Sequence, residues 1–176
     1  MIGIGQASGA IAAVQRGELD AISNVDPVLT ELELAGAIQI VADARTPEGS
    51  QAVYGGSFPA GCLYTTEKFI AANPRTVQAL ANAIVHALIW MQSATPEQIL
   101  DVLPAQFSTG RRDIMIAAIR KTKPGYSRDG QVPREGAEVV LKVQAEIDPA
   151  VGAAKINVAD TYDNSFARAA ATKYGQ

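Results

Sequence analysis

Apolar positions fall into two kinds of spacing along the first fifty residues. In "SGAIAAVQRG" Ile11 and Val14 lie about one turn apart and Gly17 follows as a stop, which predicts a short helix. "LDAISNV" and "AIQIVADA" are instead short runs of apolar, β-branched and small residues, expected as strands. Between them "DPVLTELELAG" carries a helix start. Asp26 can accept from free backbone N–H groups, while Pro27 takes the first helical position, where its missing donor costs nothing, and Gly36 ends the run. With the apolar "MIGIG" in front, the order strand, helix, strand, helix, strand predicts a parallel or mixed sheet with crossover helices.

The pattern then changes. "RTPEGSQ" is polar and holds Pro47 and Gly49, the best linker in the chain. "AVYGGSFPAGCLYTT" is expected as two short extended pieces around Gly55, Gly56 and Pro59, and nearly everything afterwards as helix. The longest, "NPRTVQALANAIVHALIWMQSA", places Val77, Leu80, Ala81, Ile84, Leu88 and Met91 on one face expected to be core. "TPEQILDVL" opens with a capping box, Thr95 with Gln98 three residues on. "RDIMIAAIRK", "REGAEVVLKVQAEI" and "DNSFARAAATKY" are three further helices, the middle one showing Val140, Val143 and Ile147 on one face.

Composition narrows the function classes. The 176 residues are 48% hydrophobic and 19% charged, the make-up of a globular chain with a core. A net charge of -3 argues against nucleic-acid binding, which needs a concentrated basic surface. The basic residues Arg111, Arg112, Arg120, Lys121, Lys123, Arg128 and Arg134 do gather in one region, either as solvated helix faces or as a docking surface for a partner protein. Cys62 stands alone, so no intrachain disulfide forms. The opening residues lack the basic and apolar regions of a signal peptide, and no run reaches the ~18 consecutive apolar residues of a membrane span. Taken literally, such a chain is cytoplasmic.

Catalytic constellations are thin. His86, the single histidine, has no carboxylate or nucleophile three or four residues away, which favours a packed or half-exposed role over a general base. One His and one Cys supply no ordinary metal site, and no cofactor is expected. The opening glycines spell G-x-G-x-x-S, with Ser8 where a dinucleotide fingerprint has its third glycine and with almost no strand ahead of them. Binding chemistry is better represented. "QASG" and "SNVDP" precede helices, whose free N–H groups suit an anion, although ordinary capping by Ser8 and Asp26 explains them slightly better. In "VYGGSF" two glycines permit close backbone approach to a ligand beside the flat face of Tyr54, or simply a tight turn.

Taken in order, "AIAAVQRGELDAISNVDPVLTELELAG", "ADARTPEG", "VYGGSFPAGCLYTTEKFIAANPRTVQALANAIVHALIW" and "ATPEQI" resemble the C-terminal half of ABC-transporter substrate-binding proteins of the nitrate, sulfonate and taurine class, and "DTYDNSFARAA" is similar to that family's closing helix. The resemblance implies an α/β, type II periplasmic binding protein-like fold in partial form. Residues 1–45 would be the C-terminal part of the second lobe, 46–52 the crossover and hinge, and 53–176 the mostly helical C-terminal part of the first lobe. It implies a periplasmic, non-catalytic solute-binding component of an ABC importer, taking a small anion such as a sulfonate or nitrate and docking to permease subunits. Ser8, Asn24, Asp26, Tyr54, Gly55, Gly56 and Ser57 would contact the solute. A full-length member is longer, so a chain of this extent would expose sheet edges and self-associate, or act as an inactive remnant or a non-catalytic interaction module. An enzyme of the thiamine-pyrimidine synthase type on the same fold calls for a catalytic histidine and a cysteine-rich iron site, against which one His and one Cys stand.

Overall fold

A computed structural model of the chain describes residues 7–108 and 111–175. In chain order the α-helices are α1 (Ala7–Gln15), α2 (Val28–Leu34), α3 (Pro47–Tyr54), α4 (Glu67–Ala72), α5 (Pro74–Ser93), α6 (Pro96–Val102), α7 (Ala105–Ser108), α8 (Arg112–Thr122), α9 (Arg134–Ile147), α10 (Pro149–Ala153) and α11 (Ser165–Tyr174). Short 3-10 turns lie at Lys123–Gly125 and Val158–Asp160.

Among the described residues there is no β-strand. The expected α/β, type II periplasmic binding protein-like fold is therefore corrected to an all-helical one. "LDAISNV" and "AIQIVADA" are irregular segments, "RTPEGSQ" runs into α3, and "AVYGGSFPAGCLYTT" splits between the end of α3 and an irregular stretch. The physical reason is that strand propensity expresses itself only beside a neighbour. A strand is stabilised by its ladder and cross-strand pairs, and these segments have none among the described residues. The "MIGIG" strand lies outside the described residues.

The chain divides into two compact units, one taking the chain up to Ala42 with Thr95–Pro124, the other Asp43–Ala94 with the chain from Gly125 onward. In the first, Ala10 of α1 meets Val28 and Leu32 of α2 in a fully buried cluster, lined at its edge by Ile11, Val14, Ile22 and Ile38. The helices α2 and α6 both pack on α8, where Ile99, Leu100, Ile114 and Ala118 are buried. Side chains tie the same contacts at the rim. Lys121 reaches Glu33 of α2, and Arg112 reaches Asp101 of α6 at 2.7 Å. α6 begins at the expected capping box, Thr95 Oγ1 accepting from Gln98 N at 3.2 Å and Gln98 Oε1 from Thr95 N at 2.8 Å.

The second unit is organised by α5 lying along α11, around buried Val85, Ala167 and Ala170. Gly130 makes this packing possible. Its φ of +75° suits glycine, and a Cβ there would lie 2.7 Å from Val85 Cγ2. The apolar face expected on α5 is only partly covered: Val77 is buried, as is Val85 beside the expected face, but Leu80 and Ile84 remain 45% and 42% exposed. On α9, Val140 and Val143 are half-buried while Ile147 is exposed. α10 and the Val158–Asp160 turn fold back on α9.

Candidate functional site

The residues singled out in the sequence fall in both units, and each group belongs to its own. In the first unit Ser8 lies in α1, its side chain outside the described residues. Asn24 turns its carboxamide onto its own loop, Oδ1 accepting from Val25 N at 2.8 Å. Asp26 Oδ1 accepts from Thr30 N at 2.9 Å, which satisfies a free N–H in the first turn of α2 over a fully buried Thr30. In the pattern of ordinary capping, Asn24 and Asp26 thus hold the entry to a seven-residue helix.

In the second unit Tyr54, Gly55, Gly56 and Ser57 form one turn at the end of α3, and it is pinned from several directions. α3 starts at Thr46, whose Oγ1 accepts from Gly49 N at 3.1 Å, with Pro47 at the first helical position. The helix stops because Gly55 takes φ +80° and returns its N–H to Gln51 O at 2.9 Å. Ser50, nearly buried inside α3, donates its hydroxyl to Gly56 O at 2.8 Å. Tyr54 stacks on Phe58 with ring centroids 4.3 Å apart and planes 27° from parallel. Gly56 lies against α9 so closely that a Cβ would stand 2.8 Å from Val139 Cγ2. Ser57 remains exposed at the tip of this braced turn, and Tyr54 half-exposed beside it. Ser50, Phe58 and Val139 were not singled out in the sequence. The aromatic pair four residues apart across Gly-Gly was the available signal.

Close in sequence, Arg45 forms a two-pronged pair with Asp43 at 2.8 and 2.7 Å, its side chain only 10% exposed. Its charge is thus balanced locally. The basic region is balanced in the same way within the first unit. Arg111 faces Asp113 at 2.8 Å, Arg112 faces Asp101, Arg120 faces Glu97 at 3.5 Å, and Lys121 faces Glu33. The hydrogen bond from Arg111 holds the exposed Asp113 carboxyl below the usual range. Arg134 in the second unit pairs with Glu138 one helical turn on, at 2.9 Å.

His86 is exposed and lies parallel to Tyr174, centroids 4.5 Å apart, on the outer face of α5 and α11. Cys62 is exposed. Among the described residues no group of three or more His, Cys, Asp and Glu could hold a metal ion, and no helix is long and apolar enough to cross a membrane.

Fold and site together define a helical protein of two compact units carrying one braced Gly-Gly turn. No family model matches the chain, and no curated protein matches it. A solved structure of a protein from Bordetella bronchiseptica RB50 is similar to it, with a TM-score of 0.91 and 43% sequence identity. The match covers 99% of this chain and 55% of that one, so this chain spans about half the length of the Bordetella protein.

Proposed function

We propose that this chain is a non-catalytic solute-binding component of an importer, taking a small organic or inorganic anion such as a sulfonate or nitrate at the Tyr54–Ser57 turn. The observation that carries the reading is the bracing of that turn. Three contacts, Ser50 to Gly56, Phe58 on the Tyr54 ring and Val139 against Gly56, hold a two-glycine turn that is followed by the exposed Ser57. A small ligand bound without covalent change gains most from donors already held in place, because ordering them on binding would offset the gain. The ordered resemblance of segments to nitrate, sulfonate and taurine binding proteins supports the solute class. The same resemblance supports a periplasmic site of action and docking to permease subunits.

Isothermal calorimetry with nitrate, taurine and a simple alkanesulfonate tests this reading. Saturable binding of at least one, with the solute recovered unchanged, is expected. Tyr54→Phe keeps the stack on Phe58 and removes only the hydroxyl, and Ser57→Ala removes an exposed hydroxyl. A hydrogen bond to a charged ligand contributes ~1.5–3 kcal/mol, so each is expected to weaken binding by about tenfold or more. Unchanged affinity in both variants would remove the turn from the site, and no heat with any anion would overturn the reading.

A further inference from the structure

The second unit carries a concave apolar site against α9. Helix α9 supplies Ala137, Val140 and Leu141 to it, α10 supplies Val151, and the segment after α10 supplies Ile156 and Val158. Together they bound a cavity of about 210 Å³ that opens to solvent on one side. Its walls are held by bonds made at their corners. Where α9 ends, Asp148 N donates to Gln144 O at 2.8 Å and the Asp148 carboxylate accepts from Ala150 N at 2.8 Å, with Pro149 at the first helical position of α10. Gly152 lets α10 come close to α9, since a Cβ there would stand 3.0 Å from Ala145 O. Beyond α10, Asn157 Oδ1 accepts from Ala159 N at 3.3 Å and its Nδ2 donates to Asp160 at 3.0 Å, while Thr161 Oγ1 donates to Val158 O at 2.8 Å. Hydrogen-bonded pieces of chain therefore frame the cavity ahead of any ligand.

The chemistry of the lining selects the occupant. Its two remaining residues, Gln144 and Thr161, are polar and uncharged. Thr161 gives its proton to Val158 O and keeps lone pairs to accept with, and among the described residues no hydrogen bond engages the Gln144 carboxamide, which can both donate and accept. A charged ligand would lose hydration here without meeting an opposite charge, which disfavours anions and cations alike. Volume sets the size. An aliphatic cavity of about 150 Å³ takes benzene, so one of about 210 Å³ takes a single ring with a short substituent and is too small for a helix. We propose that this cavity binds a small neutral organic molecule, a monocyclic aromatic body between α9 and α10 whose one hydroxyl meets the Gln144 carboxamide. Such a site follows the usual division of a ligand pocket into an apolar body and a few orienting polar groups. It shares no residue with the Tyr54–Ser57 turn, and its ligand is neutral where that of the turn is anionic.

The test is a methyl NMR titration of the chain with benzyl alcohol, toluene and benzoate. Benzyl alcohol is expected to give saturable, one-to-one shifts at the methyls of Leu141, Val151 and Ile156. Toluene is expected to shift the same methyls with an affinity weaker by about threefold to tenfold, for want of the hydroxyl's hydrogen bond. Benzoate is expected to move none of them. Ala137→Leu and Ala137→Phe each extend a side chain into the cavity and are expected to abolish binding of both neutral probes, read in whichever variant keeps the parent's circular dichroism and unfolding temperature. Gln144→Leu removes an exposed carboxamide and is expected to keep toluene binding while bringing benzyl alcohol down to the same affinity. No saturable shift at these methyls with either neutral probe, binding that survives in a folded Ala137 variant, or benzoate binding as tightly as benzyl alcohol would each overturn the proposal. So would an affinity for benzyl alcohol unchanged by Gln144→Leu. None of these outcomes involves nitrate or taurine, so they hold whether or not an anion binds at the turn.

Discussion

Asn164 holds Val132 by both ends of its carboxamide. Its Oδ1 accepts from Val132 N and its Nδ2 donates to Val132 O, each at 2.9 Å, across 32 residues of chain. The geometry copies a backbone pair and fastens the loop before α9 to the start of α11. Asn164→Ala breaks both bonds in a half-buried setting and is expected to cost about 2 kcal/mol, or about 4–8 °C in unfolding temperature. Asn164→Asp keeps only the acceptor and should fall between the two. Differential scanning calorimetry of the three chains checks the order.

Gly130 is expected to be costlier to replace than Gly17. Gly17 and Gly130 have similar φ values, +70° and +75°, but a Cβ at Gly17 would meet open space while one at Gly130 would meet Val85 Cγ2 at 2.7 Å. Gly17→Ala therefore carries only the backbone strain, roughly 1 kcal/mol. Gly130→Ala adds a clash with a buried side chain and should exceed it by about 1–3 kcal/mol in chemical denaturation.

Each of the two Thr-Pro-Glu helix starts should report through its threonine. Thr46 caps α3 and Thr95 caps α6. Alanine at either is expected to cost ~1 kcal/mol, and the two effects should add because the caps lie in different units. Urea unfolding of the single and double variants measures both.

Acid should loosen the second unit through two aspartates. Backbone and side-chain bonds from Gln131, helped by Ser127, hold the Asp129 carboxyl below its ordinary range, and Ser165 does the same for Asp163. Both carboxyls bind protons less readily folded than unfolded. Their stabilising contribution is full above the ordinary aspartate value near pH ~4 and is lost as pH falls further, through the lower folded value. A pH series of melting curves is expected to show the drop on the acid side, flatter in Asp129→Asn than in the parent chain.

Local signals in the sequence proved sound where one helix was enough to express them. The capping box at Thr95 and Gln98 and the ends of α1 and α2 before Gly17 and Gly36 all stand where spacing put them. Thr46-Pro47-Glu48 repeats the motif of Thr95-Pro96-Glu97, yet the polar residues around it suggested a linker, and α3 was missed. The strands failed for a different reason. Alternation at 22–25 and 38–41 is present in the structure as exposure, but pairing depends on a neighbour that no local pattern encodes. For the site, Tyr54 to Ser57 were legible as a Gly-Gly turn beside an aromatic ring. The Ser50 hydroxyl and Val139 that brace it come from the preceding helix and from α9, beyond the reach of a short motif.

The most direct test of solute binding at the braced turn is a two-dimensional amide NMR titration of the chain with nitrate and with taurine. Saturable shifts at Gly55, Gly56 and Ser57, with the α11 amides unmoved and the response lost in Ser57→Ala, are predicted. No shift at these three amides at saturating anion, or shifts centred on another part of the chain, would contradict the account.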